Sequence, residues 1–319
     1  AFDKASQGTS LAIKVSGRHF AKVLGRYAIN IEMPDSPYEF AGHIQVEEEG
    51  IRLDKLSLGY EDISLEASGL MKLADQLSGT ALDFQISGDN LSALKKFPAI
   101  GDSMDIFVPG QAYQAAGRFM VEKNRWRLNE INGRIGKTSI DFDTTISKRA
   151  GMSGSSVRFS VRGPELNEFL VKKDKPGLPA GAFETSGRMM LADDTLSIND
   201  FSFKTLKAHG QVDLVIGWPY TSTGNINFNV KVQGEDIRNF LPRLQPFEVA
   251  MASFQLNAVG EKKGDLINVQ QFDSSIGNLQ ISLTGQAHDN GDDDQAEIAF
   301  TIHSADISTL GRLDGEPLP

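Results

Sequence analysis

Five histidines, His19, His43, His209, His288 and His303, are the side chains best suited to bind a metal or move a proton, and no two stand at a ligand spacing such as His-x-x-x-His. Cysteine is absent, which removes thiolate metal sites and disulfides together. Ser153, Ser155 and Ser156 lie close to Gly151 and Gly154, but the Gly-x-Ser-x-Gly order of a nucleophile elbow does not occur, and a turn is the simpler account. Neither phosphate-binding glycine pattern occurs. The acidic run Asp292, Asp293, Asp294 lacks the alternate-position oxygens and closing glutamate of a calcium loop, so it reads as a solvated connection. Asn90-Leu91-Ser92 has the form of a glycosylation sequon, yet at a helix start it is better explained as a cap. Trp126 and Trp218 stand alone, as core or rim packing does, rather than in a sugar-binding platform. The residues therefore describe a protein that is not an enzyme and needs no cofactor or metal.

A net charge of -10, with no clustered Lys and Arg along the chain, argues against nucleic acid as a partner. With 40% hydrophobic and 23% charged residues, an ordinary core is possible. No apolar run reaches the roughly 18 residues of a membrane span. The chain opens on Ala1 and stops within a repeat, so the expectation is a segment of a longer protein whose targeting signals lie elsewhere.

What must position these residues is a repeat, seen most clearly between Val157 and Trp218. Val157, Phe159 and Val161 alternate with Arg158, Ser160 and Arg162, the pattern of a half-buried strand that Gly163 and Pro164 end. Leu166, Phe169 and Leu170 then fall at i, i+3 and i+4, with Lys172 and Lys173 behind them, predicting a two-turn helix. A Pro/Gly loop, a hairpin at Asp193-Asp194 and a strand through Val212, Leu214 and Ile216 complete the unit. Strand-ending turns recur at Gly17, Gly88, Gly163, Gly234 and Ser304, at intervals of 71, 75, 71 and 70 residues. Helix stripes follow at Phe20, Val23, Leu24, at Leu91, Leu94, at Ile237, Phe240, Leu241, and at Ile307, Leu310. Hairpin turns recur at Glu49-Gly50, Lys123-Asn124 and Lys263-Gly264. Three features sharing one period predict a mainly β array, one continuous object over residues 1–319, in units of about 11–81, 82–156, 157–225, 226–295 and a partial 296–319. Its architecture is expected to be an elongated array of antiparallel strands, a curled sheet or groove, with one short helix per repeat of about 70 residues.

About four strands per unit make roughly 17 strands, and at ~4.8 Å between strands one face of such a sheet approaches 2,000 Å². Five helices of about eight residues cover roughly 600 Å² of it. Soluble monomers seldom leave the remainder exposed, so the sheet either curls around a filled core or forms a trough for an apolar ligand. The residues expected to line that trough are Phe84, Ile86, Ile140, Phe142, Phe159, Val161, Ile198, Phe203, Val212, Leu214, Phe228, Val230, Ile281, Leu283, Phe300 and Ile302.

Two further patterns point to a family. Gly88-Asp89-Asn90-Leu91-Ser92-Ala93-Leu94 before Phe97-Pro98, and Ala305-Asp306-Ile307-Ser308-Thr309-Leu310 before Pro317-Leu318-Pro319, resemble the strand-end-to-helix signature of AsmA-like proteins. Thr185-Ser186-Gly187-Arg188 leading to Leu196-Ser197-Ile198-Asn199-Asp200-Phe201 resembles it too, with counterparts at Ala116-Gly117-Arg118 and Ala41-Gly42-His43. The fourth unit departs most, carrying Gln245-Pro246 where the others have glycine. The resemblance implies a bacterial envelope protein in the periplasm, held to the inner membrane by an N-terminal anchor outside this sequence. It also implies that neighbouring repeats of a longer chain extend the array, and that phospholipid or another acyl-chain lipid is carried toward the outer membrane. The alternative is a non-catalytic assembly scaffold in the same envelope, with a filled β core.

Overall fold

The computed structural model describes residues 7–19, 36–73, 75–96, 107–170, 181–217, 224–239, 247–249, 251–288, 296–306, 311–313 and 316–317. Among them the chain is mainly β, with seventeen strands in one antiparallel sheet, three short strands in a second, and very little helix.

The strands come in sets of four whose lengths repeat. First members are β1 (Ser10–Gly17), β5 (Ala81–Gly88), β9 (Ser155–Gly163) and β13 (Ile226–Gly234), of 8 or 9 residues, and β18 (Ala296–His303) opens a fifth set. Second members are β2 (Tyr38–Glu47), β6 (Tyr113–Glu122), β10 (Phe183–Ala192) and β15 (Phe254–Lys263), each of 10 residues. Third members are β3 (Gly50–Tyr60), β7 (Arg125–Ile135), β11 (Thr195–Thr205) and β16 (Leu266–Ile276), each of 11. Fourth members are β4 (Ile63–Lys72), β8 (Thr138–Ser147), β12 (Ala208–Gly217) and β17 (Leu279–His288), each of 10. The small sheet is β14 (Phe247–Val249), β19 (Gly311–Leu313) and β20 (Glu316–Pro317).

The helices are shorter than the sequence predicts. Only Leu166–Phe169 (α1) is α-helical among the described residues, a single turn rather than two. The turn stops there because the backbone of Leu170 forms a β-bridge with Phe107, and the Phe107 ring packs on Phe169 at 5.1 Å. The counterparts Leu91–Lys96 and Ile237–Asn239 are 3-10 turns. Asn90 caps the first of them, its Oδ1 accepting from Ser92 N–H at 2.9 Å, and Asp236 does the same for Arg238 N–H at 3.1 Å. Phe20, Val23, Leu24, Phe240, Leu241, Ile307 and Leu310 of the other stripes lie outside the described residues, as do Trp218, Gln245-Pro246 and Asp292 to Asp294.

The chain divides into two compact units. Unit 1 comprises Ala1–Ala150, Val161–Gly163 and Glu168–Val171; unit 2 comprises Gly151–Ser160, Pro164–Asn167 and Lys172–Pro319. In unit 1 each strand from β1 to β8 pairs antiparallel with the next. In unit 2 the same meander runs from β10 to β13 and on through β15 to β18.

Two devices hold each set in register. An aromatic residue opens every second member, at Tyr38, Tyr113, Phe183 and Phe254, and all four are buried. Three of these rings lie so close over the glycine ending the preceding strand (Gly17, Gly88 and Gly234) that a Cβ there would approach them to 2.7, 2.7 and 2.6 Å. Only glycine admits the ring. The second device is a register shift in every third member, at Leu53/Leu56, Leu128/Ile131, Ile198/Phe201 and Val269/Phe272. In three sets the extra residue takes a left-handed backbone, Lys55, Glu130 and Asp200, at φ 46, 54 and 53°. Asp143 and Asp213 each accept a hydrogen bond from the backbone N–H of Glu130 and Asp200 respectively.

Tyr113 differs from its counterparts Phe183 and Phe254 by a hydroxyl that is buried and has no hydrogen-bond partner among the described residues. Burial first, and the charge of Asp62 second, push its pKa up to about 12. A tyrosine whose folded pKa lies above its unfolded one contributes stability that is whole below about pH 10 and is lost as pH rises toward 12. Tyr113→Phe is therefore expected to stabilise unit 1 by about 1 kcal/mol at neutral pH, since it removes an unsatisfied buried group, and to flatten the fall in stability above pH 10. Urea titrations at pH 7 and at higher pH check both; a destabilised variant would mean the hydroxyl is satisfied.

Candidate functional site

Antiparallel pairing places directly opposed residues on one face, so the registers decide where each expected groove residue lies. In unit 1, Phe84 stands opposite Ala67 and Gly117, Ile86 opposite Leu65 and Ala115, Ile140 opposite Gly133, and Phe142 opposite Ile131. One face is thus apolar. The other carries Asp83, Gln85, Arg118, Asn132 and Asp141, also in register.

Unit 2 has the same division. Ile198 opposes Leu214, which opposes Phe228; Val212 opposes Val230, and Phe203 opposes Gly210. Ile281 opposes Ile302, and Leu283 opposes Phe300. Phe159 joins this face, its ring centre 6.3 Å from that of Phe201. A single polar row runs behind it across six strands, Gln211, Lys231, Asn257, Asp273, Ser282 and Thr301. Val161, the remaining candidate, is half-buried on β9.

None of the sixteen candidates is buried: all are half-exposed except Phe300 and Ile302, which are exposed. Apolar side chains sandwiched in a closed core would lose nearly all contact with water. The packed positions are other residues, Ile131 and Val121 of the same face among them. In unit 1, Tyr38, Tyr60 and Ile63 form a buried cluster at one set of strand ends, joined by Phe40, Leu58, Ile86 and Leu94. Leu94 comes from the 3-10 turn, so the turn covers that end of the face. Ile86 belongs to this covered end more than to the open middle. Sequence reasoning missed Ile131, the most completely buried large side chain among the described residues, and did not single out Leu53 as core. Both flank the register shift, and Ile131 lies over Gly117. The glycines of the Ala41-Gly42-His43, Ala116-Gly117-Arg118 and Ser186-Gly187-Arg188 motifs are the sites that Leu56, Ile131 and Phe201 of the next strand overlie, which is the signal that marks them.

On the polar face of unit 2 lies a hollow of about 780 Å³, lined among others by Glu184, Lys204, His209, Lys231, Gln255 and Asn257. Gln233 Nε2 donates to His209 Nε2 at 2.7 Å, which occupies one nitrogen of the imidazole. Several surface carboxylates are displaced by ion pairs: Arg125 and Arg127 hold Glu122 below the usual carboxylate range, Arg238 does so for Asp236, and Lys263 for Glu261. Among the described residues no group of His, Cys, Asp or Glu could hold a metal ion, and no helix is long and apolar enough to cross a membrane. No protein-family model, curated protein or solved structure matches the chain.

Proposed function

We propose that the apolar faces are carrying surfaces for the acyl chains of phospholipid, and that the protein is an AsmA-like component of the bacterial envelope moving lipid between inner and outer membranes. One observation supports the reading above the rest: a face of aligned Phe, Ile, Leu and Val residues that stay half-exposed, backed by a wholly different polar face. Each methylene laid on such a floor gains about 0.8 kcal/mol when fully removed from water. The repeating strand sets offer similar positions many times over, which suits a long chain-like ligand that must be held without being trapped. Headgroups would ride at the strand ends, in water.

Native mass spectrometry of the purified protein, with extraction of bound lipid, tests this directly. Co-purified phospholipid is the expected result. A protein free of lipid, which also takes up none from vesicles, would leave the assembly scaffold in its place.

A further inference from the structure

The β6–β7 hairpin lies at the strand ends of unit 1 opposite those closed by Tyr38, Tyr60 and Ile63. Trp126 on this hairpin belongs to the apolar face, opposite Val121 and Ile146, and is 44% exposed. Lys148 holds its Nζ 5.5 Å from the centre of the indole. Lys123, Arg125 and Arg127 come from the hairpin and Lys148 and Arg149 directly follow β8, where the Lys148 N–H donates to Asn124 O at 2.8 Å. The fold therefore brings Lys148 and Arg149 beside the three cations that the sequence already groups at Lys123, Arg125 and Arg127. Among the described residues Glu122, shared by Arg125 and Arg127, is the carboxylate on this hairpin, and exposed Asp75 on the adjoining turn is a second, which leaves an excess of three cations. Lys123 and Arg149 are exposed and have no ion pair among the described residues.

The turn between β4 and β5 adjoins this hairpin: Gly79 N–H donates to Val121 O at 2.7 Å, and Val121 N–H to Thr80 O at 2.9 Å. It displays Leu73 and Leu77, both exposed. Asp75, Gln76 and Leu77 all hold left-handed φ of 48, 56 and 68°, a conformation that L side chains disfavour. A chain with net charge -10 thus presents, at one rim, a tryptophan and two leucines amid a local cationic excess.

We propose that this rim docks on an anionic phospholipid surface. An indole is at home in the headgroup layer, where its apolar body and N–H are both accommodated, and the leucines enter beside it. Lys and Arg lay their stems along the apolar ground and extend their charges to phosphate. A nucleic acid or other polyanion would satisfy the cations but leave Trp126, Leu73 and Leu77 in water, so the bilayer accounts for more of the patch. The inference does not depend on the apolar faces carrying lipid.

The test is flotation of the whole protein with vesicles of phosphatidylcholine alone and of phosphatidylcholine mixed with phosphatidylglycerol, in a Trp218→Phe background so that Trp126 alone reports. Binding to the anionic vesicles, with a blue shift of Trp126 emission, is expected. Each cation near an anionic surface is worth about a fivefold change in affinity, so Lys123→Gln with Arg149→Gln should weaken binding about thirtyfold. Both residues are exposed, so the melting temperature should not move, and Trp126→Ala gives an independent second variant. Absence of flotation on anionic vesicles, or binding that the double variant leaves unchanged, overturns the proposal. Equal competition by an oligonucleotide with no blue shift on vesicles would overturn it in favour of a general polyanion site. Lipid co-purification is scored separately, so loss of docking and loss of carriage are told apart.

Discussion

Phe228→Glu is expected to abolish lipid crosslinking on unit 2 while lowering the melting temperature by only a few degrees. Phe228 sits midway along the apolar face, between Leu214 and Gly260, and is half-buried. Placing a carboxylate in a closed core without a partner costs several kcal/mol and would unfold the unit. On an open floor the carboxylate stays hydrated when no lipid is present, and the loss is that of partial phenyl packing, about 1 kcal/mol. The lipid-bound state meets the opposite fate, because an acyl chain cannot cross an ionised group without desolvating it. Photoreactive residues replacing Phe159 and Phe300, both on the same face of unit 2, read the lipid, and calorimetry reads the stability. If the variant loses most of its stability and neither position crosslinks lipid in the parent protein, the carrying surface is refuted.

A large loss of stability is expected instead from Ile131→Ala. Its side chain is 2% exposed, wedged over Gly117 beside the register shift of β7. Truncation of an isoleucine so enclosed costs about 2–4 kcal/mol, because a cavity remains where the strands cannot close. Ile140→Ala, on the neighbouring strand but half-exposed, should cost roughly 1 kcal/mol. Urea unfolding followed by Trp126 emission compares the two within one unit. Equal losses would mean that the face is packed evenly throughout, as a filled core is.

The different fates of these positions show what the sequence carries and what it does not. Alternation in Val157, Phe159, Val161 and in Val212, Leu214, Ile216 makes the strands and their faces legible, because each apolar side chain needs only its own strand's pleat to find its side. The hairpin turns are legible for the same local reason. Ile131 is not, because its burial comes from Gly117 on the adjacent strand and from a one-residue shift that only pairing reveals. The sequence overstates the helix at Leu166: its apolar stripe is real, but the backbone of Leu170 is taken by Phe107 far back in the chain. The full cationic patch around Trp126 is hidden from a linear reading because Lys148 and Arg149 come beside the β6–β7 hairpin only when β8 folds back along β7. A long-range juxtaposition leaves no periodic trace.

The register shift has one more consequence, for how such a chain can change. Within each set the 11-residue third strand fits between neighbours of 10 because the shift absorbs the odd residue, and faces emerge in phase at the start of the next set. Deleting a single residue from any of these strands would invert the faces of the strand beyond the cut. Excising a whole set, for example β6 through β9, would instead join ends that already agree in length, direction and sidedness. The protein is in this sense written in words rather than letters: copies can be gained or dropped as complete sets and the connections can vary in length, while single-residue indels within the paired strands are disfavoured.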